Sequence, residues 1–159
     1  MIAKKGFSLI ELMVTVAIIA FLAMIAMPNL MRFVAKAKRA EAYANLHSIH
    51  AAQKAHWIEH GTYSNILAGK GGIGWKPEGY SGGGQGEHFY YTYGFSGAEG
   101  RNYFTGKLQE SNNHLSVTHA DKNGFIVAAV GDIDGDGTPD IITIDHNNVI
   151  RIVRDDLED

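Results

Sequence analysis

Two groups of residues in this 159-residue chain have types and spacings that do chemistry. The first is acidic: Asp132, Asp134, Asp136, Gly137, Thr138 and Asp140 read D-x-D-x-D-G-x-x-D. Carboxylates at alternate positions of a tight loop converge oxygen ligands on one hard cation, and a glycine permits the sharp turn. The expected ligands are the carboxylates of Asp132, Asp134, Asp136 and Asp140 with the backbone carbonyl of Thr138. Asp145 is a further candidate, and the expected ion is Ca2+. An EF-hand needs Glu at the twelfth position, where this chain has Thr143, and needs flanking helices. The loop is therefore expected inside a β-hairpin. The plain alternative is a solvated acidic turn, but four aspartates this close repel one another, which favours a cation.

The second group surrounds Glu11. From Phe7 to Met27 only Ser8, Glu11 and Thr15 are polar. As an α-helix this run spans roughly 31 Å, about the thickness of a bilayer's hydrocarbon core. Lys4 and Lys5 precede it and would hold the N-terminus in the cytoplasm. An ionisable group inside such a span costs a few kcal/mol and marks a function by default; a headgroup-seeking Glu near the end of the span is the plain alternative. A cleaved secretory signal fits poorly. Ala17, Ala20, Ala23 and Ala26 form no A-x-A site, and a carboxylate interrupts the apolar run.

The stretch Lys4-Lys5-Gly6-Phe7-Ser8-Leu9-Ile10-Glu11, with the apolar residues after it, closely resembles the N-terminal signature of type IV prepilins and the related pseudopilins. The resemblance is strong over residues 1 to about 61 and weaker beyond. It implies a leader of residues 1–6, removed by a prepilin peptidase between Gly6 and Phe7, with methylation of the new Phe7 amine. Glu11 then stands where the family places its assembly glutamate, whose partner is the N-terminal amine of a neighbouring subunit. Pro28 matches a family proline past which the helix continues, kinked or locally melted. The implied partners are copies of this chain, the prepilin peptidase and the pilus assembly machinery. The implied locations are the bacterial inner membrane as a precursor and then the cell surface or extracellular pilus. The implied function is a structural subunit of a type IV pilus serving adhesion, motility or DNA uptake. The alternative is a pseudopilin of a type II secretion system, forming a periplasmic pseudopilus.

The elements that must position these groups are legible in outline. From Leu30 to His60 there is no Gly or Pro, and Ala35, Ala42, Leu46, Ile49 and Ala52 form an apolar stripe continued roughly by His56 and Trp57. Gly61 stands where a C-terminal cap is expected. One helix over residues 7–60, roughly 80 Å long by its rise, is thus predicted, with 7–27 as membrane span and filament core. Arg32, Lys36, Lys38 and Arg39 could attract lipid headgroups or DNA, but a solvated collar explains them. His47 with His50, and His56 with His60, have helical spacings able to hold a metal, yet no acidic partner is evident nearby.

Residues 61–159 are read as a globular head. Gly69 to Gly86 is glycine-rich and contains no phosphate-loop pattern, so it reads as an ordered surface loop. Strands are expected over 88–95, 125–130, 141–144 and 149–153, the last two joined through Asn147-Asn148. Residues 101–119 are ambiguous. The fold class is α+β: one long N-terminal helix, half transmembrane, on a C-terminal antiparallel meander of about four strands.

Composition narrows the rest. A net charge of −3 gives no general pull toward nucleic acid, and with no cysteines the chain has no disulfide staple. Many pilins close their C-terminal region with a disulfide, while some relatives, notably major pseudopilins, use calcium there. The head lacks the W-G-N-P-Y-like segment of a major pseudopilin. Its G-D-x-D-G-D-G-x-x-D-x-x-T-I-D run instead resembles the C-terminal part of major pilins, which favours the pilus. No G-x-S-x-G, H-E-x-x-H or cysteine nucleophile is present, so an enzyme is not expected.

Overall fold

The computed structural model describes residues 6–158. Lys4 and Lys5, and all of the expected leader except Gly6, lie outside the described residues. A single helix, α1, runs Leu9–His60 and continues through Pro28 without a break. It starts on a capping box: Ser8 Oγ accepts from the Glu11 N–H at 3.3 Å, and a Glu11 carboxylate oxygen accepts from the Ser8 N–H at 2.9 Å. It stops at Gly61, which turns to φ 70° and donates its N–H to the Trp57 carbonyl at 2.8 Å. That left-handed conformation is one glycine adopts without steric cost.

The chain divides into two compact units, one ending at Val34 and the other beginning at Ala35. The described part of the first is the start of α1 with Gly6, Phe7 and Ser8 before it, and its apolar side chains are exposed, Phe7, Leu9, Ile10, Phe21 and Met24 among them. The boundary falls within the helix, so the second unit takes in part of α1 as well as the head expected over 61–159.

In the second unit the helix buries Ala35, Ala42, Leu46, Ile49, Gln53 and His56. This is the predicted stripe with three changes, of which the first is that Ala52 is only half-buried. Trp57 is 43% exposed, and Gln53 takes a buried place because both ends of its amide are paired. Its Nε2 donates to the Ser64 carbonyl, and its Oε1 accepts from the Ser64 N–H at 3.1 Å. That pair fastens the chain leaving the helix back onto it.

Six antiparallel strands follow: β1 Thr92–Gly94, β2 Tyr103–Phe104, β3 His119–Ala120, β4 Phe125–Gly131, β5 Asp140–Asp145 and β6 Ile150–Arg154. Their order across the sheet is β2-β1-β4-β5-β6, with β3 also paired to β4. β3, β4, β5 and β6 pair in chain order as a meander of four strands, while β1 reaches across to β4, pairing Tyr93 with Ala129. The pleat divides the apolar residues of β4 between two cores. Val127 and Ala129 join the helix stripe with Tyr91, Tyr93, Phe104 and Ile144. Ala128 and Val130 face Leu115, which comes from a short 3-10 helix at Asn112–Leu115. The segment that sequence patterning left ambiguous is therefore a cover for the second face of the sheet. That is why β5 is buried at every position rather than at alternate ones.

The glycine-rich segment is pinned at two points. Trp75 is buried, edge-on to Phe104 and Tyr93, and donates its indole N–H to Ser48 Oγ at 2.8 Å. Glu87, with no exposed surface, gathers the Ser81 N–H, the Ser81 hydroxyl and the Gly83 N–H.

Candidate assembly helix and cation-ligating loop

The first unit holds Gly6, Phe7, Glu11 and Pro28. Gly6 and Phe7 are exposed and precede the first helical turn. Glu11 lies in that turn, where its Oε2 accepts from both the N–H and the hydroxyl of Ser8. All of the capping work falls on this one oxygen, so Oε1 makes no hydrogen bond among the described residues. Thr15 removes its hydroxyl from the apolar surface by donating to the Glu11 carbonyl at 2.6 Å. What remains outward from Phe7 to Val34 is predominantly aliphatic and aromatic, and the helix is long and apolar enough to cross a membrane. Leaving one such Leu, Ile or Phe in water costs about 2 kcal/mol, so this surface needs lipid or other protein around it.

The acidic loop joins β4 to β5, inside a hairpin as expected. Asp132 Oδ1 and Oδ2 accept from the N–H groups of Gly135 and Gly137 at 2.7 and 2.9 Å. Asp134 accepts from the Asp136 N–H, and Asp136 from the Thr138 N–H at 2.6 Å. Gly135 and Gly137 both take positive φ, 89° and 92°, which lets the backbone fold inside its own carboxylates.

Asp140 does not join them. Its side chain is fully buried and turned the other way, with Oδ2 accepting from Arg39 Nε at 3.1 Å and the Tyr91 hydroxyl at 2.7 Å. Its Oδ1 accepts from Arg39 Nη2 at 2.9 Å. The expectation that Asp140 ligates a cation is corrected here: both oxygens are already committed. Asp145 is likewise turned away from the loop, its Oδ1 capping the next turn through the Asn147 and Val149 N–H groups.

The place expected for Asp140 is taken by Asp156, after β6. One oxygen from each of Asp132, Asp134, Asp136 and Asp156 lies within 4.8 Å of all the others. Asp156 is 1% exposed. Its Oδ2 accepts from the N–H groups of Ile133 at 2.7 Å and Asp134 at 3.3 Å. Its Oδ1 is a buried side-chain oxygen without any partner, the one such case among the described residues. Burial, with the charges of Asp134 and Asp132, pushes the Asp156 carboxyl up to about 6 despite those two donors. Sequence spacing gave no hint of it, because the strand between brings it home from outside the motif.

The basic residues also fall differently from a solvated collar. Arg39 is mostly buried, its guanidinium shared between Asp140 and Asp155. Burial works against its charge, but the two carboxylates outweigh that and hold it protonated, while Arg39 in turn holds the Asp155 carboxyl below its ordinary range. Lys38 donates to the Ile133 carbonyl at 2.7 Å and lies over the Tyr90 ring. Only Arg32 and Lys36 remain exposed. The helix histidines are each engaged singly: His47 with Asn148 Oδ1, His50 with the His146 carbonyl, and His56 with the Thr62 carbonyl. His60 stacks on His56. They make no shared ligand set.

A long N-terminal helix with an exposed apolar first part, capped through Ser8 and Glu11 and followed by an antiparallel sheet, is the α+β arrangement that the resemblance to type IV pilins implies. Residues 1–27 match the prokaryotic N-terminal methylation motif. The chain is also 46% identical over 75 residues to a type IV major pilin protein, PilA, of Myxococcus xanthus. The aligned stretch covers 47% of this chain and 33% of that pilin, so the chain spans about a third of the length of the curated relative it matches.

Proposed function

We propose that this chain is a structural subunit of a type IV pilus and not an enzyme. It is held first in the bacterial inner membrane by residues 7–27, is cut by a prepilin peptidase between Gly6 and Phe7, and polymerises through the freed helix. The observation that carries this reading is the first unit itself, a helix whose apolar side chains are exposed among the described residues. A bilayer satisfies that surface before assembly, and neighbouring helices satisfy it afterwards.

Glu11 has a place in the same account. Inside a bundle of apolar helices a carboxylate needs a countercharge, and the amine of Phe7 on a neighbouring subunit supplies one. Ser8 already holds one oxygen of Glu11 in position, leaving the other for that contact. The pairing would also set the axial register between subunits. Adhesion, motility and DNA uptake are the roles such a filament serves.

The test is the intact mass of the protein in filaments sheared from its native cells. Abundant protein in long fibres, beginning at a methylated Phe7, is the expected result. Processed protein confined to the envelope would move the reading to a pseudopilin. Uncut protein would overturn the membrane-to-filament account.

A further inference from the structure

We propose that Asp132, Asp134, Asp136 and Asp156 form a calcium site that clamps the segment after β6 onto the β4–β5 loop. Two independent observations converge on it. The first is the cluster itself, four carboxylates each offering an oxygen within 4.8 Å of the rest. Oxygens bound to one calcium ion at about 2.4 Å stand at most about 4.8 Å apart, so this spread is what a single coordination sphere allows. The second is the buried, unpartnered oxygen of Asp156. Asp132, Asp134 and Asp136 are more open to solvent and fold on their own backbone donors, so an acidic turn would account for them alone. Asp156 is different: its carboxylate is buried, spends one oxygen on two backbone N–H groups, leaves the other without a partner and adds its charge to a group of like charges. Burying an unpaired carboxylate beside three others is unfavourable without a cation to share.

The donor set selects the class of ion. All four side chains offer oxygen, and no histidine or cysteine joins them among the described residues, which suits a hard cation rather than zinc or copper. The donors lie on a glycine-containing loop and a strand end, an irregular set. Calcium accepts irregular shells of six to eight oxygens, whereas magnesium demands a near-ideal octahedron. Water and a loop carbonyl such as that of Thr138 would complete the shell.

The position of Asp156 gives the site its consequence. The preceding residue, Asp155, pairs with Arg39 on α1, and the Asp156 N–H donates to Asp140 Oδ1 at 3.4 Å. The segment 155–156 is therefore fastened to the helix by ion pairing and to the loop by the cation. In a chain with no cysteine, the ion replaces a covalent closure, and it does so where calcium is plentiful, outside the cell.

The experiment is thermal unfolding of the full chain in detergent micelles, followed by circular dichroism after chelation and after addition of CaCl2 or MgCl2. Calcium at a hundredfold excess over its Kd should raise the melting temperature by roughly 5–10 °C, with a smaller effect of magnesium. Asp156→Asn should lose that rise, and so should Asp134→Asn, which changes an exposed ligand and so guards against a simple folding failure. Asp140→Asn should melt lower with and without calcium yet keep the rise. A rise retained in Asp156→Asn removes that residue from the site. No rise and no calorimetric heat with the wild-type chain overturns the site altogether. Neither result bears on the filament reading, which the mass of sheared fibres tests separately.

Discussion

Arg39 and Asp140, 101 residues apart, meet through two hydrogen bonds, Nε to Oδ2 at 3.1 Å and Nη2 to Oδ1 at 2.9 Å. This is the planar, two-pronged pairing that a guanidinium makes and an ammonium cannot. It sits where the helix, the start of β5 and the segment after β6 come together. The Tyr91 hydroxyl and the Asp156 N–H close it from the remaining sides.

Removing one member of such a buried pair is costly because the other charge is left uncompensated. Arg39→Ala should destabilise the fold by about 3–5 kcal/mol. Arg39→Lys keeps the charge but loses the fork, and should fall between that variant and the wild type. Denaturant melts of the three proteins check the order. Equal midpoints for Arg39→Ala and wild type would show that the pair contributes nothing.

Tyr91→Phe isolates a single neutral donor of this group. The ring is fully buried and stays in place, while Asp140 Oδ2 loses its hydroxyl partner but keeps Arg39. The expected loss is about 1–3 kcal/mol, the range for a buried acceptor deprived of one bond. Burial and the bond to Asp140 hold the Tyr91 hydroxyl far above its ordinary pKa. It should therefore fail to ionise in an alkaline titration of the folded protein.

Glu87 makes stability depend on pH. Burial alone would raise its carboxyl. The N–H groups of Gly83 and Ser81 and the Ser81 hydroxyl outweigh burial and hold it below 4.5. A pKa lower in the folded state than in the unfolded one means that the stabilisation is fully present above the unfolded value and is lost as pH falls through the folded value. The melting temperature of Glu87→Gln should lie below that of wild type at about pH 6, and the two should converge toward about pH 3. A constant gap across that range would show that the charge of Glu87 does not matter. Because Glu87 organises the loop at Ser81 and Gly83, the variant should also be cut there faster by protease.

Much of this was legible from residue pattern, and the gaps have physical reasons. The helix announced itself through the uninterrupted stretch from Leu30 to His60 and the spacing of Ala35, Ala42, Leu46 and Ile49. Strands β4, β5 and β6 came within a residue or two of their expected limits because each is an apolar run between turn residues. Tyr103–Phe104 and His119–Ala120 are too short for any periodicity, and their pairing depends on partners far along the chain. The acidic motif correctly marked a loop of converging carboxylates, but local spacing could not separate Asp136 from Asp140. The distinction is made by Arg39, which arrives from the helix and claims Asp140, and by Asp156, which arrives from beyond β6. Arg39 misled for the same reason: four basic residues within eight positions look solvated until Lys38 meets the β4–β5 loop and Arg39 meets Asp140.

The closing prediction separates two roles for Glu11. In the single chain it caps the helix with Ser8, each residue accepting from the other's N–H. If capping is all it does, Ser8→Ala and Glu11→Ala should have similar consequences, a local loosening of the first turn worth about 0.5–2 kcal/mol. If Glu11 also meets the Phe7 amine of a neighbouring subunit, the two variants must differ. Both should insert in the membrane and be processed after Gly6, as read by fractionation and mass. Ser8→Ala should still give filaments, because the second Glu11 oxygen keeps its intersubunit partner. Glu11→Ala should give processed protein that stays in the envelope, because burying the helix in a filament then leaves the Phe7 amine without a countercharge. Counting fibres by electron microscopy decides it. Filaments in normal numbers from Glu11→Ala would reduce this residue to a cap.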